Sequence, residues 1–143
     1  LATFRELLIY ALWIGALCLV GLACFHFWPT AVPRPAMDVT GYPGFALLKG
    51  VDAAGNACPS LHVATAAFTA LWVEHVLRRV GTPLWLRCCN GLWVGAIVWS
   101  TLATKQHVAW DVAAGLLLAL VFAGLSLAGR RGKATPVVQR PPL

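Results

Sequence analysis

Along the chain, long apolar stretches alternate with short polar or proline-rich ones, and the spacing predicts four helices. Helix A is expected from about Phe4 to Trp28, a run rich in Leu, Ala and Trp. Pro29 to Pro59 holds five prolines together with Gly and Asp, which predicts a loop, with a short interfacial helix near Phe45 to Lys49. Helix B is expected from the Pro59-Ser60 step to about Leu77, helix C from Pro83 to Ala103, and helix D from His107 to Ala128. At about 1.5 Å per residue, each comes close to the roughly 30 Å of a bilayer's hydrocarbon. Arg130 to Leu143 is basic and proline-rich and reads as a disordered tail. The organisation is therefore one transmembrane domain over residues 1–129 and a tail over 130–143.

Composition agrees. Of 143 residues, 59% are hydrophobic and 11% charged, with a mean hydropathy of +0.75; a soluble domain carries about 25% charged residues. The net charge of +6 does not indicate nucleic acid, because the basic residues sit between and after the apolar runs and no recognition motif accompanies them. Their distribution orients the chain instead. Arg5, Arg78, Arg79, Arg87, Arg130, Arg131, Lys133 and Arg140 fall on one side of the expected membrane, and Arg34, Lys49 and Lys105 on the other. The positive-inside bias then places both termini and the B–C connection in the cytoplasm. His62, His107 and Asp111 share the outer face with those three cations.

The five cysteines lack zinc-ribbon spacing, and at least four of them read as small hydrophobic filler. The chain begins at Leu1, and its first apolar run exceeds the about 7–15 residues of a signal-peptide core. It reads as a fragment or a processed form.

Two segments carry chemistry. In Cys58-Pro59-Ser60-Leu61-His62, Pro59 and Ser60 suit a helix start, with Ser60 as the N-cap and His62 on the first turn. The amides of such a terminus favour an anion. In Ser100-Thr101-Leu102-Ala103-Thr104-Lys105-Gln106-His107-Val108-Ala109-Trp110-Asp111, a helix would put His107 and Asp111 on one face at i and i+4. A carboxylate there can accept the imidazole Nδ1–H and leave Nε2 as a nucleophile or base. Asp111 is expected a full turn inside an apolar helix, where an ionisable residue is usually functional. A capped helix with an interfacial histidine and a dipole-stabilised aspartate are the plainer accounts of the two segments.

Together, these residues resemble the type 2 phosphatidic acid phosphatase (PAP2) superfamily, which includes inositol phosphorylceramide synthases. Pro59, Ser60 and His62 match its Pro-Ser-x-His motif, and Ser100, His107 and Asp111 match its Ser-Arg, five residues, His, three residues, Asp motif. The Pro-Ser-Leu-His and Thr-Lys-Gln-His stretches are similar to the synthase branch. There are two departures. Thr101 stands in place of the third-motif arginine, with Lys105 near enough to supply charge. In the first motif Arg34-Pro35 is present, but Phe27 stands at the lysine position.

The resemblance implies an all-α integral membrane bundle, four transmembrane helices of a six-helix fold, with two N-terminal helices missing. It implies His107 as nucleophile, Asp111 as its partner and His62 as general acid and base, with Ser60, Ser100, Lys105 and Arg34 on the phosphate and Lys49 a weaker candidate. No metal or other cofactor is expected. The expected partner is a phosphorylated lipid, in a bacterial inner membrane, and a homo-oligomer is compatible. The activity implied is a phosphatase on a lipid phosphomonoester or pyrophosphate at the outer face. The alternatives are a headgroup phosphotransferase, a catalytically inactive homologue, and a zinc site of His62, His107 and Asp111. His26 reads as interfacial packing, and Glu74 with His75 as a polar pair at the far end of helix B.

Overall fold

A computed structural model describes residues 4–30, 57–103 and 108–128. The protein is an all-helical bundle of α1 (Phe4–Phe27), α2 (Leu61–Arg79), α3 (Leu84–Ala103) and α4 (Ala109–Ala128). The expected helix near Phe45 to Lys49 and the tail over 130–143 lie outside the described residues.

Contacts along the helices fix their directions. Tyr10 Oη meets Thr69 Oγ1 at 2.9 Å, Glu6 pairs with Arg79, and Gly21 lies against Leu61, so α1 runs opposite to α2. Asn90 Nδ2 donates to the Ala70 carbonyl and Arg87 pairs with Glu74, so α3 also opposes α2. The Trp72 indole N–H donates to Ser126 Oγ at 3.0 Å, and Ser60 lies against Asp111, so α4 runs parallel to α2. The bundle goes down, up, down, up, with α2 packed against all three other helices.

That central place explains the composition of α2. Its buried face is Val63, Ala64, Ala67, Phe68 and Trp72, and the last four join Leu17 of α1 and Ala119 and Ala123 of α4 in the core. Tyr10 stacks on Phe68 at 5.8 Å, and Trp13 meets Phe122 edge-on at 5.9 Å. The polar residues of α2 find partners within the protein: the Thr65 and Thr69 hydroxyls donate to the carbonyls of Leu61 and Thr65. Glu74 accepts from Arg78 at 2.6 Å and from Arg87 at 2.7 Å. A helix enclosed this way tolerates polarity that a lipid-facing helix does not.

The outer helices show the complementary pattern. By themselves α1 and α4 are long and apolar enough to cross a membrane. Leu12, Leu19, Trp93, Trp99, Leu117 and Leu125 are all exposed. In water so continuous an apolar exterior would drive association; in hydrocarbon it is the lipid-facing surface, with tryptophans suited to the interface.

The α2–α3 turn is set by Gly81, at φ 69°. The Thr82 N–H donates to the Leu77 carbonyl at 3.1 Å and the Gly81 N–H to the Arg78 carbonyl at 3.2 Å. This is the Schellman arrangement, in which a residue at positive φ lets the last carbonyls of a helix be satisfied. Any Cβ there is strained by the backbone alone, since nothing else lies within 4 Å of it. Gly81→Ala is therefore expected to lower stability by about 1 kcal/mol, read as an earlier unfolding midpoint in detergent.

Candidate active site

The antiparallel order gathers the starts of α2 and α4 and the ends of α1 and α3 at one end of the bundle. Arg5, Arg78, Arg79 and Arg87, with Glu6 and Glu74, occupy the other. Of the expected site residues, Ser60, His62, Ser100 and Asp111 are described, all at the first end, while Arg34, Lys105 and His107 lie outside the described residues, as does Lys49.

The centre of this end is the contact between the first turns of α2 and α4. The Ser60 backbone N–H donates to the Asp111 carbonyl at 3.0 Å. Ser60 is fully buried, and its hydroxyl caps α2 by accepting from the Val63 N–H at 3.5 Å. A serine at this position satisfies an amide that the helix itself cannot reach. His62, two residues on, is exposed at the rim.

On α4, Asp111, Gly115, Ala119 and Ala123 recur every fourth residue, and all are buried. Small side chains at this spacing let two membrane helices approach closely. Gly115 is the tightest point: a Cβ built there would fall 2.5 Å from the Ser60 carbonyl oxygen. That oxygen accepts the first hydrogen bond of α2, from the Ala64 N–H at 2.9 Å. The absence of a side chain at 115 thus sets how near the His62 turn comes to Asp111.

Asp111 lies in the first turn of α4, not a full turn inside it. The helix begins at Ala109, two residues later than expected, because Val108 takes the cap position. The Asp111 Oδ2 accepts the Val108 N–H at 3.1 Å, the reach-back half of a capping box. Only 5% of Asp111 is exposed. The i, i+4 relation of His107 to Asp111 falls outside the described residues.

On α3, Ser100 is exposed whereas Thr101 is buried, its hydroxyl donating to the Val98 carbonyl at 2.9 Å. Position 101, where the third motif has arginine, therefore faces into the bundle. His26 is exposed and meets Phe27 edge-on at 5.1 Å.

Sequence reasoning passed over Cys58 and Gly115. The half-buried Cys58 is held through its N–H, which donates to Thr30 Oγ1 at 2.8 Å. Burial, then the charge of Asp111 and a hydrogen bond to its carboxylate, with Cys24 nearby, push the Cys58 thiol above its ordinary range. The glycine could have been found from the Gly115, Ala119, Ala123 spacing. The cysteine had no such signal.

The first turns of the parallel helices α2 and α4 thus meet through Ser60 and Asp111, and the sequence profile of the PAP2 superfamily matches residues 1–125. The chain belongs to the PAP2 superfamily. It is an all-helical membrane protein on that membership and on its fold. Comparison with curated proteins and with solved structures gives no match.

Proposed function

We propose that this PAP2 superfamily member is a membrane phosphatase that hydrolyses a lipid phosphomonoester or pyrophosphate through a phosphohistidine. The observation that carries the reading is the Ser60 N–H to Asp111 carbonyl hydrogen bond. It joins the turn bearing His62 to the turn bearing Asp111, which supports reading the two motifs as parts of one site. The N-termini of α2 and α4 meet there, and their amide dipoles favour a phosphate.

In the proposed reaction the His107 Nε2 attacks phosphorus in line with the leaving oxygen. The N–P bond forms as the P–O bond to the lipid breaks, and His62 donates its proton to the departing alkoxide. Asp111 stabilises the charge that develops on the His107 ring. Neutral His62 then takes a proton from water, whose oxygen attacks phosphorus, and the P–N bond breaks to release phosphate. Ser100, Lys105 and Arg34 would neutralise the non-bridging oxygens, while Ser60 contributes by fixing the first turn of α2. The orientation proposed has this end on the outer face, both termini in the cytoplasm and the arginine-rich end inside, in a bacterial inner membrane.

The test is phosphate release by the purified chain in detergent, from phosphatidic acid and from an isoprenyl pyrophosphate, with EDTA present. Release that persists in EDTA is expected. Release that EDTA abolishes would favour a metal site, and release that appears only with an added diacylglycerol or ceramide acceptor would make the chain a phosphotransferase.

A further inference from the structure

We infer that the arginine-rich end of the bundle, opposite the candidate active site, holds the phosphodiester headgroup of an anionic phospholipid between Arg78 and Arg87. The two side chains come from different helices and converge on one atom. Glu74 Oε1 accepts from Arg78 Nε at 2.6 Å, from Arg87 Nη2 at 2.7 Å and from Arg87 Nε at 2.9 Å. The guanidiniums therefore stand within about two hydrogen-bond lengths of each other, Arg78 in the last turn of α2 and Arg87 in the first turn of α3. Both stay charged at any working pH, and the one carboxylate between them leaves a single positive charge over. The neighbouring pair, Arg79 with Glu6, is balanced in itself, and exposed Arg5 adds a further cation at the same end.

The single charge of a phosphodiester matches that excess. A guanidinium offers a planar fork of N–H donors suited to phosphate oxygens. The Arg78 side chain is 66% exposed, so the donors that Glu74 does not take are open to a ligand. Glu74 also fixes both forks in place, so little side-chain freedom is lost when the phosphate arrives. The surroundings favour a lipid over a free anion. Val80, Leu84 and Trp85 are exposed within three residues of the two arginines, which sets apolar side chains and an interfacial tryptophan beside the charge. Inorganic phosphate has nothing to place against them, whereas the glycerol backbone and first methylenes of a phospholipid do. A phosphate held there bridges the same two helices that Glu74 and Arg87 join, and so strengthens the packing of α3 on α2.

Binding is read without turnover, on the whole chain in detergent micelles doped with phosphatidylglycerol or with phosphatidylcholine of the same acyl chains. Phosphatidylglycerol is a diester and therefore not a substrate of the proposed phosphatase. Native mass spectrometry counts the lipids retained, and the unfolding midpoint reports their effect on the bundle. Phosphatidylglycerol is expected to be retained about fivefold more tightly, the size of one cation's attraction to an anionic headgroup, and to raise the midpoint. Equal retention of the two lipids overturns the proposal.

Variants then locate the site. Arg78→Gln, at an exposed position in the last turn of α2, is expected to bring phosphatidylglycerol down to the level of phosphatidylcholine. Arg78→Lys is expected to recover part of the preference, since an ammonium keeps the charge but not the fork. Arg5→Gln removes a cation from the same end but not from the cluster, and is expected to keep most of the preference. Equal losses in Arg78→Gln and Arg5→Gln would show a general field of that end rather than a site at Arg78 and Arg87, and overturn the assignment. Inorganic phosphate at millimolar concentration is expected to displace little of the bound lipid. Full displacement, with the midpoint raised as far as by the lipid, would make this a site for a free anion and overturn the lipid as its occupant. Because the cluster lies at the opposite end from Ser60 and Asp111, none of these outcomes bears on the proposed reaction.

Discussion

With a lipid-like phosphate whose leaving group is a nitrophenolate, His62→Ala is expected to release a single stoichiometric burst of phenolate and then stall, whereas His107→Ala releases none. The difference follows from the two roles. A nitrophenolate leaves without a proton, so the first step no longer needs His62 as acid, and His107 can still take the phosphoryl group. The second step still needs a base for water, and without His62 the phosphoenzyme accumulates. Its acid-labile N–P bond should be trapped by labelled substrate in alkaline quench. With an ordinary lipid leaving group, His62→Ala should lower the rate by about 10²–10⁴-fold, the usual contribution of a placed acid or base. His107→Ala should abolish turnover with either leaving group, because no other group takes over the covalent step. A burst from His107→Ala would move the nucleophile elsewhere, and steady turnover of the activated substrate by His62→Ala would remove the base role from His62.

The roles rest on two motifs that were legible because they are local. A proline, a capping serine and a histidine within four residues describe a helix start without knowledge of the rest of the fold, and the structure has Ser60 as that cap. The long helices of the described residues were legible for a related reason: apolar runs of that length have few alternatives. The less legible parts depend on neighbours. Hydropathy alone marks only α1 and α4 as spans, since α2 is polar where Tyr10, Arg87 and Ser126 satisfy it. The start of α4 was read two residues early because the Asp111 side chain, by accepting the Val108 amide, is part of the cap rather than a residue beyond it. Glu74 appeared beside His75 in the chain, yet its partners are Arg78 on its own helix and Arg87 on α3. None of these can be decided from spacing until the packing is known. Cys58 is the extreme case: burial and the charge of Asp111, more than fifty residues away, push its thiol up, and nothing around it in the chain marks it.

Gly115→Ala should damage this site more than its distance from the reacting atoms implies. The added Cβ would meet the Ser60 carbonyl oxygen at 2.5 Å and the Ala64 amide nitrogen at 3.4 Å. Both are backbone atoms of a helix start, so no side chain can rotate away. At Gly21 the atom met is Leu61 Cδ2, the far end of a flexible side chain, and Gly21→Ala should be the milder change. For Gly115→Ala, either α2 moves off α4, stretching the Ser60 N–H to Asp111 carbonyl bond, or the first turn of α2 deforms. Overpacking of this kind costs about 1–3 kcal/mol. A shift of about 1 Å in a catalytic group can cost about 10²-fold in rate, so kcat should fall by that order even where the folded fraction remains high. The two losses separate experimentally: the unfolding midpoint in detergent reports the packing cost, and kcat normalised to folded protein reports the displacement of His62. Equal, small effects at Gly115 and Gly21 would show that the approach of α2 to α4 does not set the geometry of the site. A large loss of kcat at Gly115 alone would make this glycine, which touches no substrate atom, the residue that fixes the separation of the two motif turns.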